Sequence, residues 1–254
     1  MLKSIMRVFF SANRRAAAVF DSLLSPAIRH DGNHYFISQV IPSALKDNSV
    51  IYDIGGGSQP CISVADKLKK NITLVGLDIS DEEMNKAPAN IYDQKISADL
   101  TQYIGNGNAD TIVCQAVLEH IEDNRAAARS LSTICKQHGI VYVFVPCKNA
   151  VYARLNVVLP ERVKNWALEL VQPGLTEHQG FPAYYNNCTP TEMKNLFLEN
   201  GFEIIQIKTF WMSSYFGNFF PIHILWRTYQ LLAWALIGDD AAETFILIAK
   251  KEAQ

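Results

Sequence analysis

The chain has 254 residues, 49% of them hydrophobic and 19% charged, a composition that supports a sizeable core and excludes a disordered chain. Its net charge of −2 lacks the basic excess needed to wrap a long nucleic acid, so no nucleic-acid partner is expected. The five cysteines at 61, 114, 135, 147 and 188 share no Cys-x-x-Cys spacing, which argues against a zinc or redox pair and reads as free thiols in a reducing compartment, with no metal site.

Residues Leu2–Leu24 mix Lys3, Arg7, Arg14 and Arg15 with Ile5, Val8, Phe9, Phe10, Val19 and Phe20. The basic residues interrupt every apolar run, so no signal-peptide core forms and a cytoplasmic location is expected. Residues 1–45 read as a helical cap, although a basic amphipathic start also suits an anionic membrane face.

From residue 49 to residue 146 strand and helix patterns alternate. Ser49–Ile54 is a short β-branched run ending in Asp53-Ile54-Gly55-Gly56-Gly57, a buried strand followed by a turn that needs close backbone approach. Pro60–Lys70 reads as a helix with proline at its first position. Ile72–Leu77 is a second strand closed by Asp78, Ile91–Ser97 a third and Asp110–Gln115 a fourth. Asn124–Gln137 reads as a helix, and Gly139 opens a fifth strand, Ile140–Val145. Strands separated by helix-length segments imply βαβ units and a parallel sheet.

The rhythm breaks at 147–188, an insertion without clean periodicity. Thr189-Pro190-Thr191-Glu192 is a capping box whose helix runs to a stop at Gly201. Phe202–Phe210 is a sixth strand and Thr244–Ala249 a last one. Between them, 211–240 is a second, apolar insertion. Its segment Ile222–Ile237 reads as a helix with Pro221 at its start and Gly238 at its stop. His223, Arg227 and Gln230 make one polar stripe on it. At ~1.5 Å per residue this helix spans roughly 24 Å, short of a bilayer core. Three placements stand: packed on the domain or in a homodimer interface, lying in a membrane surface, or closing as a lid.

The acids Asp53, Asp78 and Asp99 all fall at or just after strand ends, where doubly wound sheets bind ligands. A dinucleotide fold wants Gly-x-Gly-x-x-Gly; here Gly55-x-Gly57 lacks the third glycine, and Gln59 stands nearby. An acid two residues before the first glycine suits a ligand with a cationic amino acid end better than a pyrophosphate.

These residues resemble the first motif of class I S-adenosylmethionine-dependent methyltransferases. Leu77-Asp78, Ala98-Asp99-Leu100, the run Ala109–Ile121 with its Val117-Leu118-Glu119-His120, and His138-Gly139-Ile140 leading to Val145-Pro146 resemble the later motifs in order. His138 departs from the glycine common at its place. The resemblance implies one α/β domain over 1–254: a Rossmann-like three-layer sandwich on a seven-stranded, mostly parallel sheet with an antiparallel last strand. It implies S-adenosyl-L-methionine as cofactor. Gly55 and Gly57 would admit its amino acid part, and Asp53 would order that loop and meet the ammonium. Asp78 would accept from the ribose hydroxyls, Asp99 and Leu100 would meet the adenine, and Gln115 would face the methionine end.

Methyl transfer from a sulfonium needs alignment and water exclusion more than a catalytic group, and a base only for a hydroxyl or protonated amine. His120 is a candidate base whose other reading is a packing histidine at a helix start. His178 and Tyr184, with Tyr185, lie in the first insertion and are candidates for acceptor contact. The Phe181-Pro182-Ala183-Tyr184-Tyr185 stretch resembles bacterial methyltransferases, some found with glycan-building enzymes, which points to a small-molecule, glycan or lipid-linked acceptor. A nicotinamide-dependent oxidoreductase and a non-catalytic, membrane-associated scaffold remain open beside this reading.

Overall fold

The computed structural model describes residues 2–159, 182–212 and 216–253. Among them, seven strands form one sheet: Val50–Ile54 (β1), Thr73–Asp78 (β2), Gln94–Ser97 (β3), Ala109–Gln115 (β4), Cys135–Pro146 (β5), Phe202–Phe210 (β6) and Thr244–Lys251 (β7). The spatial order is β3-β2-β1-β4-β5-β7-β6. Strands β1 to β5 pair in parallel, whereas β7 runs antiparallel to both β5 and β6. The carboxyl ends of β1, β2, β4, β5 and β6 therefore share one edge.

The strands alternate which face they fill. Tyr52, Ile54, Val75, Ile112, Val143 and Leu247 pack on one face. There they meet helices Asn124–Ile134 (α6) and Pro190–Glu199 (α8) through Leu131, Leu196 and Phe197. Ile51, Leu74, Val113, Phe144 and Ile246 pack on the other. That face is covered by a helical stretch made of Gly32–Tyr35 (α2), a π-turn at Phe36–Val40 and Ile41–Ala44 (α3), which contributes Phe36, Val40 and Ile41. Residues 31–45 thus form part of one layer of the sandwich, and the long helix Leu2–Ser22 (α1) precedes them.

Several elements begin elsewhere than the sequence pattern predicts. The helix expected from Pro60 starts at Val64 and ends at Lys70 (α4), capped by the Ser63 hydroxyl, which accepts from Asp66 N–H. Residues before it are held out of the helix because the Cys61 N–H donates to Asp53 Oδ2 at 2.9 Å. The third strand starts at Gln94, after Asp93 has turned its carboxylate onto the Leu74 N–H. The helix expected to reach Gln137 ends at Ile134, and β5 starts at Cys135 opposite Ala109. Gly139 therefore sits inside β5 at an irregularity, where a Cβ would lie 2.7 Å from the Ala109 carbonyl. The capping box at Thr189 forms as expected, with Thr189 Oγ1 accepting from Glu192 N–H and Pro190 at the first helical position. The remaining helices are Asp81–Asn85 (α5), Val151–Val158 (α7) and Phe220–Ile237 (α9), the last starting two residues earlier than the pattern predicts.

Candidate functional site

Two adjoining cavities open along the carboxyl edge of the sheet. The larger, about 970 Å³, is lined by the glycine loop, Asp53, Asn33, Ser58 and Gln115. The smaller, about 600 Å³, is lined by Ile79, Asp99, Leu100, Val117, His120 and Tyr184. Gly55, Asp78, Ala116 and Pro182 line both, so the two form one crevice with a polar end, an apolar end and a carboxylate between.

Asp53 is buried beneath the glycine loop. Its Oδ2 accepts from the Cys61 N–H at 2.9 Å and from the Tyr92 hydroxyl at 3.1 Å. Burial pushes its pKa up to about 6, against the opposing effect of those donors. A Cβ on Gly56 would collide with this carboxylate and lie 2.6 Å from the Tyr92 hydroxyl. Gly55 has φ +67°, a backbone that L side chains rarely adopt, and a Cβ there would run into Val117. The loop must therefore be glycine to lie flat across the end of β1. Asp53 orders it from below.

Asp78 ends β2. Its Oδ1 accepts from the Ser80 N–H at 2.8 Å, and the Gly57 N–H also points at it. Burial raises its pKa, against the opposing effect of the Ser80 N–H. A Cβ on Gly57 would stand 3.3 Å from Asp78 Oδ2, so the glycine leaves that oxygen open towards the crevice. Asp99 accepts from the Thr101 N–H and hydroxyl, both at 2.8 Å, a local turn cap placed on the wall of the apolar cavity. Leu100 is buried beside it. Gln115 ends β4, and its Nε2 donates to Asn33 Oδ1 at 2.8 Å.

Asn33 and Tyr92 are two site residues that the sequence pattern does not single out. Asn33 lines the polar cavity and Tyr92 bonds Asp53 beneath the glycine loop, each from a segment distant in sequence and with no motif of its own. The left-handed Asn90 just before Tyr92 is the nearest local signal of a special turn.

On the other wall, His120 Nδ1 bonds the Pro182 carbonyl at 3.0 Å. A carbonyl only accepts, so Nδ1 carries the proton and Nε2 is left as the basic nitrogen of the neutral ring. The Tyr184 and Tyr185 N–H groups donate to the Glu119 carbonyl at 2.7 and 3.0 Å. The Glu119 side chain is buried, and burial pushes its pKa up to about 8. His120 and Tyr184 thus meet at the apolar end, with Asp99 and Leu100, whereas Gln115 meets Asp53 at the polar end. His178, the third candidate for acceptor contact, lies outside the described residues.

This is the Rossmann-like fold of class I S-adenosylmethionine-dependent methyltransferases. The chain belongs to the family described as a methyltransferase domain, whose profile matches residues 28–207. Its fold is similar to an S-adenosylmethionine-dependent methyltransferase from Mesorhizobium loti, at 14% identity and TM-score 0.52, covering 84% of this chain and 96% of that one. It is also similar to the phosphoethanolamine N-methyltransferase 2 of Haemonchus contortus, solved with S-adenosyl-L-methionine, at 14% identity and TM-score 0.53, covering 85% of this chain and 53% of that one. The (4+2)-cyclase SpnF matches equally well, at 15% identity and TM-score 0.53, covering 89% of this chain and 85% of that one. One fold thus serves more than one chemistry, and the site has to carry the functional argument. No curated protein matches the chain by sequence.

Proposed function

We propose that this protein transfers a methyl group from S-adenosyl-L-methionine to a small-molecule, glycan or lipid-linked acceptor on the cytoplasmic side of a cell. The observation that carries the reading is the placement of Asp78 between the two ends of one crevice. The polar end, with Asp53, the glycine loop and Gln115, fits an amino acid group. The apolar end, with Ile79, Leu100 and Val117, fits an adenine ring beside Asp99. A carboxylate between them offers two acceptor oxygens to a ribose diol.

The cofactor, when bound, supplies an activated methyl on a sulfonium. The chain's own residues then bind, orient and exclude water. Asp53 acts through the loop it holds, which makes it a positioning residue. Pro182 and Tyr184 line the apolar end of the crevice, where an acceptor would enter. His120 Nε2 is the nitrogen on that wall able to take a hydroxyl proton, and His178 remains the sequence candidate for the same task.

Calorimetry with S-adenosyl-L-methionine and with a nicotinamide dinucleotide tests the reading. Binding of the first and not the second is expected, with Asp78→Ala weakening it at least tenfold. Tight dinucleotide binding without S-adenosyl-L-methionine binding overturns it.

A further inference from the structure

Helix α9 is amphipathic in the reverse sense for a helix in water. His223, Arg227 and Gln230 are 1%, 2% and 3% exposed, while Leu225, Leu232 and Leu236 are 70%, 61% and 84% exposed. The inward stripe is a buried polar network that ties α9 to α1 and to Glu243. Arg227 Nε donates to Asp21 Oδ1 of α1 at 2.9 Å, and its Nη1 to the Trp211 carbonyl at 2.8 Å. His223 Nε2 lies 2.9 Å from the same Asp21 oxygen. Gln230 Nε2 and Trp226 Nε1 donate to Glu243 Oε1 at 2.9 and 2.8 Å. Turning the helix about its axis would strip Arg227 from Asp21 and leave a buried charge unpaired. The network therefore holds the leucines outward.

The apolar surface continues onto α1. Val8 and Val19, 67% and 65% exposed, lie on one line of that helix with Ala12 and Arg15 between them. Phe9 of α1 stacks on Phe219 at the start of α9, with ring centroids 6.1 Å apart, and joins the two faces. Arg7, Arg14 and Arg15 are exposed on α1. Asp21 is the one acid in the sequences of the two helices, and it is buried. The exposed side chains of the two helices therefore include apolar and cationic groups and no acid.

We propose that this face of α1 and α9 docks on an anionic lipid bilayer, with the leucines and valines in the headgroup–acyl boundary and the arginines on the lipid phosphates. Apolar residues beside exposed cations are the pattern of helices that lie in such an interface. Among the described residues, no helix is long and apolar enough to cross a membrane, so the contact is peripheral. A second copy of the chain is the poorer occupant, because a twofold contact would bring Arg7, Arg14 and Arg15 of both copies together without an acid to meet them. Helix α9 leaves the carboxyl end of β6 and returns to the start of β7, the edge that also carries the glycine loop. Helix α9 thus starts and ends at the same edge of the sheet as the crevice. That a lipid-linked acceptor then enters it rests on the methyl-transfer reading; the docking itself does not.

Flotation with vesicles of phosphatidylcholine plus phosphatidylglycerol, and of phosphatidylcholine alone, tests the proposal. The protein should float with the anionic vesicles and bind at least tenfold more weakly to neutral ones or at high salt. Leu225→Glu combined with Leu232→Glu and Leu236→Glu should lose at least tenfold in vesicle binding, as should Arg7→Gln combined with Arg14→Gln and Arg15→Gln. Both should keep the thermal midpoint of the parent, since all six side chains lie in water. A parent protein that stays with the soluble fraction overturns the proposal. So does an acidic-leucine variant that floats like the parent, or a homodimer in sedimentation velocity that Leu225→Glu dissociates. Calorimetry with S-adenosyl-L-methionine on the same sample separates these failures from failure of the functional reading.

Discussion

The Tyr92 hydroxyl donates to Asp53 Oδ2 at 3.1 Å and ties the segment before β3 to the end of β1 beneath the glycine loop. The same oxygen accepts from the Cys61 N–H, so one buried carboxylate joins three segments. Tyr92→Phe leaves Asp53 one donor short. Removing one partner from a buried polar group costs about 1–3 kcal/mol, and thermal unfolding should show a loss of that size. Because Tyr92 supports the loop from behind, affinity for S-adenosyl-L-methionine should fall several-fold in calorimetry while kcat at saturation stays near the parent value. Unchanged affinity would mean that the loop keeps its shape without this bond.

Three buried carboxyls set a pH dependence. Burial raises Asp53 to about 6, Glu243 to about 7 and Glu119 to about 8. An acid whose folded pKa exceeds its unfolded value holds its proton more tightly when folded, so stability is lost as pH rises from the unfolded value to the folded one. For Glu119 that window runs from 4.5 to about 8, and the loss is complete above it. The melting temperature should therefore fall between pH 6 and pH 9. Glu119→Gln has no charge to bury, and should melt above the parent at pH 9 while differing little at pH 5. A parallel fall in both proteins would remove Glu119 as the cause.

The succession of strands along the chain and the acids at their ends were legible in the sequence because each rests on local pattern. Val50–Ile54 is β-branched and continuous, and Asp53, Asp78 and Asp99 stand at strand ends. The start of α4 was not legible from Pro60, because a long-range bond from Asp53 to the Cys61 N–H keeps residues 60–62 out of the helix. The start of β5 was hidden because Cys135 pairs with Ala109 across an irregularity that no local signal announces. Asn33 and Tyr92 were missed for the same reason, since their partners Gln115 and Asp53 lie far away in the chain. The polar stripe of α9 was visible as spacing. Its inward direction depends on Asp21, some two hundred residues earlier, and on Glu243.

Asp21 holds both His223 and Arg227, and all three side chains are buried. Replacing it with asparagine keeps an oxygen but removes the charge that compensates Arg227. Breaking a buried pair in this way costs about 3–5 kcal/mol, whereas replacing both partners with apolar groups of similar volume is often neutral. Asp21→Asn should therefore lower the unfolding free energy by an amount of that order, and Asp21→Leu combined with Arg227→Met should recover most of it. Denaturant titration of the two variants is the measurement. A double variant no more stable than Asp21→Asn would show that the network matters for more than charge compensation.

His120 reaches the Pro182 carbonyl through Nδ1 and lines the apolar cavity together with Tyr184. Two roles follow from this geometry, and they leave different kinetic traces. As a tether, His120 holds the segment at 182–185 against the crevice. His120→Ala should then raise KM for the acceptor while the shape of the pH profile of kcat stays the same. As a base, Nε2 removes the acceptor proton. The same variant should then lower kcat by about 10²–10⁴-fold and abolish the acidic limb of the profile. His120→Asn separates the two, because its amide can still donate to a carbonyl but cannot act as a base at neutral pH. The bond to Pro182 makes the tether the expected outcome: asparagine should restore KM towards the parent value. A variant that restores KM but leaves kcat depressed would instead assign the proton to Nε2.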